Sequence, residues 1–256
     1  MQLLNYKKLG EKGESVFILH GLFGSLDNWQ TIGKQLSEKY TVYLVDQRNH
    51  GHSFHANECT YESMANDLHN LSEQIGCAKA SIIGHSMGGK TAMVFAREYP
   101  QLIEKLIVVD IAPRYYAPHH TTIIDTLSGV DFSVVKTRKE VEAALQARIT
   151  EQSTIQFLLK NLYWKDGDSN ELAWRFNLPV LREQIEQIGK KIDMGYCSIP
   201  TLFLRGEHSK YISDSDFADI QNSFVNAELQ TIPNAGHWIH AEQPQLFLEH
   251  LLNFLR

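Results

Sequence analysis

Gly84-His85-Ser86-Met87-Gly88 sets a hydroxyl nucleophile between glycines two positions to either side. The motif follows a short β-rich run, residues 81–83, and opens a helical pattern over 86–99 that stops before Pro100. A serine on so sharp a strand-to-helix turn presents its hydroxyl at a sheet edge. Glycines at those two positions let backbone approach where a Cβ would clash. A serine that only caps a helix would look similar, but the strand before it and Gly89 after it favour a nucleophile.

A serine hydroxyl is a weak nucleophile at neutral pH and needs an adjacent base. Pro233-Asn234-Ala235-Gly236-His237-Trp238 offers one in a loop between the last apolar strand and the terminal helix. His240 falls near a helix start and His250 inside a helix, so both are less well placed than His237. Acyl transfer also builds an oxyanion, which preorganised N–H groups must stabilise. Met87 N–H at a helix start is one candidate donor. The second is Leu22 N–H in His20-Gly21-Leu22-Phe23-Gly24-Ser25, with Phe23 next in order.

These residues need a frame. Apolar runs at residues 16–19, 41–45, 81–83, 106–109, 201–204 and 228–232 end in turn residues and suit strands buried on both faces. Helical patterns lie between them at 27–37, with Asp27 as the available cap, at 60–75 closed by Gly76, at 86–99, at 213–224 and at 243–255. Such alternation predicts an α/β fold with a mostly parallel sheet and helices on both faces. Residues 112–198 break the rhythm. They are too long for a loop and carry helical patterns at 121–127, 138–149, 153–161 and 179–188, with a turn-rich link at 165–170 that reads as a hairpin. This insertion is expected over the carboxyl ends of the strands, where open α/β sheets bind ligands.

The chain of 256 residues is long enough for one such domain, and its net charge of −6 offers no basic stripe for nucleic acid. The start lacks the order of a secretory signal, and no apolar run is long enough to span a membrane, so a cytoplasmic protein without membrane contact is expected. Three widely spaced cysteines read as reduced thiols, and no pair of histidines has the spacing of a metal site. No metal is expected; the oligomeric state is left open.

His20-Gly21-Leu22-Phe23-Gly24-Ser25, Asp46-Gln47-Arg48-Asn49-His50-Gly51-His52-Ser53, the Ser86 motif and Gly236-His237-Trp238 occur in an order that resembles the α/β-hydrolase fold family. With Asp110-Ile111-Ala112-Pro113 and Trp174-Arg175-Phe176-Asn177, the chain looks most like the YbfF-type bacterial esterases. The resemblance implies a core domain of residues 1–111 and 199–256 and a helical cap of 112–198. It also implies a serine esterase of small-molecule esters, or of acyl-CoA thioesters, acting through an acyl-serine and without a cofactor. Arg48-Asn49-His50-Gly51 is read as bracing the site loops. Many members place the acid after the strand matching residues 201–204, but this chain has Ser209 there, in Gly206-Glu207-His208-Ser209. Others take it from the end of the preceding strand, which makes Asp110 the expected triad acid over Glu207, Asp214 or Asp216. Phe23, Tyr116, Trp164 and Trp238 are candidate substrate contacts. A C–C bond hydrolase on the same residues is the alternative, with Arg114 and Arg175 available to grip a carboxylated substrate, and a non-catalytic binding protein is the second.

Overall fold

The computed structural model describes residues 2–118, 120–165 and 171–256. Seven strands form one sheet: β1 (Tyr6–Leu9), β2 (Ser15–Leu19), β3 (Thr41–Val45), β4 (Ala80–His85), β5 (Ile103–Val109), β8 (Thr201–Gly206) and β9 (Ala227–Ile232). Their spatial order is β1-β3-β2-β4-β5-β8-β9, all parallel except β1, which runs antiparallel to β3. The helices outside the insertion are α1 (Gln30–Leu36), α2 (Tyr61–Gln74), α3 (Met87–Glu98), α9 (Asp214–Gln221), α10 (Ile239–Glu242) and α11 (Pro244–Leu255). Between β5 and β8 lie α4 (Thr121–Ser128), α5 (Arg138–Gln146), α6 (Gln152–Leu159), a hairpin of β6 (Leu162–Trp164) and β7 (Leu172–Trp174), then α7 (Leu178–Glu183) and α8 (Ile185–Gly189).

Strand alternation divides the core in two. Val16, Ile18, Val42, Leu44, Ile83 and Ile107 face α1 and α11, where Ile32, Leu36, Phe247 and Leu251 close over them. Phe17, Leu19, Tyr43, Val45, Ile82 and Val108 face α2, α3 and the insertion. Both faces are buried, which is why the middle strands read as unbroken apolar runs.

One local expectation changes, at Asp27, and one strand, β1, had no counterpart among the expected elements. β1 carries no apolar run, because its residues Tyr6, Lys7 and Lys8 lie exposed on an edge strand. Asp27 is not a helix cap. The chain first makes a 3-10 turn over Leu26–Trp29, and Asn28 Oδ1 accepts from Ser25 N–H at 2.7 Å. The strands of the hairpin are present, while residues 166–170 of its turn lie outside the described residues. Among the described residues no helix is long and apolar enough to cross a membrane, and all three cysteines are free.

Candidate active site

Ser86 caps α3 with φ 52° and ψ −118°, a left-handed conformation that side chains other than glycine adopt only when their surroundings impose it. The surroundings here are close backbone contacts. A Cβ on Gly84 would overlap the carbonyl oxygen of Gly88, and one on Gly88 would come within 2.6 Å of the carbonyl oxygens of Leu19 and His20. Ser86 N–H donates to Val109 O of the neighbouring strand at 2.9 Å, fixing the turn against β5.

Asp110 follows directly on β5, also left-handed with φ 53° and fully buried. Its Oδ2 accepts from His237 Nδ1 at 2.7 Å and from the Ser209 hydroxyl at 2.5 Å, and its Oδ1 accepts from Gly206 N–H at 3.2 Å. Burial pushes this carboxyl up to about 7, against the pull of the Ser209 and Gly206 hydrogen bonds. Ser86, Asp110, the Ser209 turn and His237 follow β4, β5, β8 and β9, four neighbouring strands, so all four meet at one sheet edge.

The His237 ring stacks on Tyr211, with centroids 4.0 Å apart and planes 19° from parallel. It also meets His85, whose Nε2 donates to His237 O at 2.9 Å. Burial holds His85 well below the usual histidine range, so it is a neutral brace. His240 lies flat on Trp29 at 4.0 Å, and burial lowers its pKa in the same way. That leaves His237, with side-chain exposure of 24%, as the imidazole joined to Asp110.

The loop after β2 is fixed by two more buried histidines. Burial lowers His20 to about 4 and His50 to about 3, so both are neutral acceptors at physiological pH. His20 Nε2 accepts from Gln47 N–H at 3.0 Å, and His50 Nε2 accepts from Phe23 N–H at 3.2 Å. Phe23 N–H is therefore committed elsewhere. Among the described residues the N–H groups of Leu22 and Met87 donate to no backbone or side-chain acceptor, as a helix start allows for Met87. Arg48 makes a two-pronged ion pair with Asp67 at 2.6 and 2.8 Å, away from Ser86.

A cavity of about 590 Å³ opens over Ser86, lined by Phe23, His237 and Trp238 from the core and by Thr154, Phe157 and Leu158 from the insertion. Phe157 and Trp238 face one another with ring centroids 4.7 Å apart. Tyr116 lines a second, smaller cavity that also reaches Ser86. Trp164 departs from its expected place: it ends β6 beside the hairpin turn, 52% exposed, and lines neither cavity. Arg114 is paired with Asp216 at 2.9 Å and lies over the Tyr116 ring, while Arg175 lies over the Tyr163 ring. Neither arginine lines a cavity at Ser86; the basic side chain that lines the larger one is Lys160.

Sequence reasoning gave no role to Ser209, Tyr211 or His85, nor to Lys90, whose Nζ donates to the carbonyl oxygens of Arg114, Gly189 and Lys190 at 2.9, 3.2 and 2.5 Å. Only the Gly206-Glu207-His208-Ser209 turn carried a signal, through the Asp it lacks.

A family model described as alpha/beta hydrolase fold matches residues 14–244, and the chain belongs to that family. It is similar to the sn-1-specific diacylglycerol lipase ABHD11 of Danio rerio, at 39% identity over 99% of this chain and 82% of that protein. It is likewise similar to Esterase YbfF of Escherichia coli (strain K12), at 36% identity over 94% of this chain and 92% of that protein. A solved structure described as a marine microorganism esterase superposes with a TM-score of 0.95 and 44% identity, covering 99% of this chain and all of the other.

Proposed function

We propose that this chain is a serine esterase in which Ser86 is the nucleophile, His237 the general base and Asp110 the acid that orients it. The observation that carries the reading is the 2.7 Å hydrogen bond from His237 Nδ1 to a buried carboxylate at the sheet edge where Ser86 sits on its strained turn. That bond requires the proton on Nδ1 and leaves Nε2 as the acceptor for the serine proton. The esterase and lipase relatives support a carboxylic ester as substrate.

In the first half-reaction Ser86 Oγ bonds to the ester carbonyl carbon as its proton passes to His237 Nε2. The oxygen that takes on charge receives hydrogen bonds from Leu22 and Met87 N–H. The carbon–oxygen bond then breaks and His237 returns its proton to the leaving alcohol, leaving an acyl-serine. Water repeats the sequence to release the acid. An acyl-CoA thioester would follow the same path with a thiol as leaving group. Residues 112–198 act as a cap that walls the substrate cavity.

A fluorophosphonate is expected to label Ser86 stoichiometrically, and Ser86→Ala to lose both labelling and turnover of short p-nitrophenyl esters. A Ser86→Ala protein that still labels and turns over would refute the assignment. Parallel assays of esters and acyl-CoA thioesters decide between leaving groups.

A further inference from the structure

We infer that the two cavities meeting at Ser86 divide the substrate, a short acyl chain entering the smaller and the large leaving group occupying the larger. This rests on Ser86 acting as the acyl-accepting nucleophile. Both cavities are lined by Leu22 and Ser86, but His237, Gly236 and Trp238 border only the larger one of about 590 Å³. The smaller, of about 30 Å³, is walled by Tyr61, Met87, Ile111, Tyr116, Ile185 and Ile188.

Proton transfer assigns the sides. The alcohol oxygen that departs must receive the proton His237 took from Ser86, so the leaving group lies where the imidazole is. The substituent on the carbonyl carbon then points away from His237, toward Met87 and Ile111. The reverse pose would place the leaving oxygen in a cavity that His237 does not border.

Size then limits the acyl group. At about 30 Å³, against the roughly 10–15 Å³ that a single water needs, this cavity takes only a short acyl chain. Its walls are tied in place. Tyr61 hydroxyl donates to Ile188 O at 2.6 Å, and Tyr116 hydroxyl donates to Tyr211 O while accepting from Ala112 N–H at 2.9 Å. Lys90 Nζ holds the carbonyls of Gly189 and Lys190 immediately beyond Ile188. The lining is mostly apolar, with His120 and the tyrosines among its members and, among the described residues, no carboxylate, lysine or arginine, which suits acetyl to butyryl groups. The aromatic pair Phe157 and Trp238 belongs to the leaving-group side, where an extended or bulky alcohol fits.

The test is a pair of substrate series on the whole chain. With p-nitrophenyl acetate, butyrate, octanoate and dodecanoate, kcat/KM is expected to fall at least about 10-fold between butyrate and octanoate. With acetate esters of ethanol, hexanol and 1-naphthol it is expected to hold or rise. Ile185→Ala and Ile188→Ala are expected to raise the octanoate-to-butyrate ratio about 5-fold or more by opening the smaller cavity. Octanoate turned over as well as butyrate by the unmodified chain overturns the division, as do alanine variants that shift alcohol preference instead. The unmodified chain alone decides the matter if neither variant folds. Fluorophosphonate labelling separates the two levels. A labelled Ser86 with a flat acyl series rejects the division alone, whereas an unlabelled Ser86 rejects the nucleophile and the division with it.

Discussion

Ser209→Ala removes one donor from a carboxylate that depends on its donors. Asp110 is fully buried, and burial has already pushed its carboxyl up to about 7; the Ser209 hydroxyl on Oδ2 is the first influence pulling it back. A hydrogen bond to a charged group contributes about 1.5–3 kcal/mol. Its loss therefore raises the acid further, in the direction burial already drives it. The sign follows from which form works. The carboxylate supports the imidazolium and the protonated acid does not, so raising its pKa removes activity at lower pH and leaves it intact at higher pH. At pH 7 the ionised fraction, and with it kcat/KM, is expected to fall about 5- to 50-fold, with recovery toward the unmodified rate at higher pH. The assay is a pH profile of kcat/KM on a soluble short-chain ester, corrected for spontaneous hydrolysis. Because Asp110 and His237 share a hydrogen bond, the acid limb reports the pair. A Ser209→Ala profile lowered equally at every pH, with its limb unmoved, would refute the argument and leave Ser209 a packing residue.

Asp110→Asn is expected to preserve the fold and cost about 10³–10⁴ in kcat, because the amide favours the wrong imidazole tautomer. Glu207→Gln, Asp214→Asn and Asp216→Asn are expected to cost far less. Asp214 and Asp216 pair with Arg205 and Arg114, and Glu207 accepts from Asn234 N–H; a collapse in any of the three would move the acid to the later turn. Lys90→Met takes the Nζ donor from the carbonyls of Arg114, Gly189 and Lys190, of which Gly189 O keeps Tyr116 N–H at 2.8 Å, and is expected to lower stability by about 2–4 kcal/mol in urea unfolding. Burial lowers the Lys90 amine from 10.5 to about 7. The unfolded chain therefore binds more protons between those limits, and stability rises with pH across that window. Lys90→Met should lose this slope, and an unchanged slope would assign it to other groups.

The five residues other than glycine with positive φ among those described are Phe23, Asn49, Ser86, Asp110 and Asn234, and each borders the candidate site or the loops that hold it. Strain of this kind is retained only where surroundings enforce it. Three of the five, Phe23, Ser86 and Asp110, were already candidate site residues in the sequence, Asp110 through the family resemblance.

What the sequence determined by itself was whatever depends on neighbours along the chain. The central strands betray themselves as apolar runs because both sheet faces are covered. The Ser86 turn is legible because close backbone approach demands Gly84 and Gly88 within two residues. The exposed edge strand β1 escaped the same reasoning, since pairing with β3 needs no apolar residue there. Tertiary structure decided everything that depends on strand order. Asp110 and Ser209 are 99 residues apart, yet they share a hydrogen bond because β5 and β8 are neighbours. Seen along the chain, Ser209 is a missing acid; in space it is a donor to the acid one strand away. The same holds for the cavities. Phe157 and Trp238 meet, while Trp164, equally aromatic, ends a hairpin in solvent. Composition cannot tell these apart, because the difference lies in which face of which element the insertion turns toward Ser86.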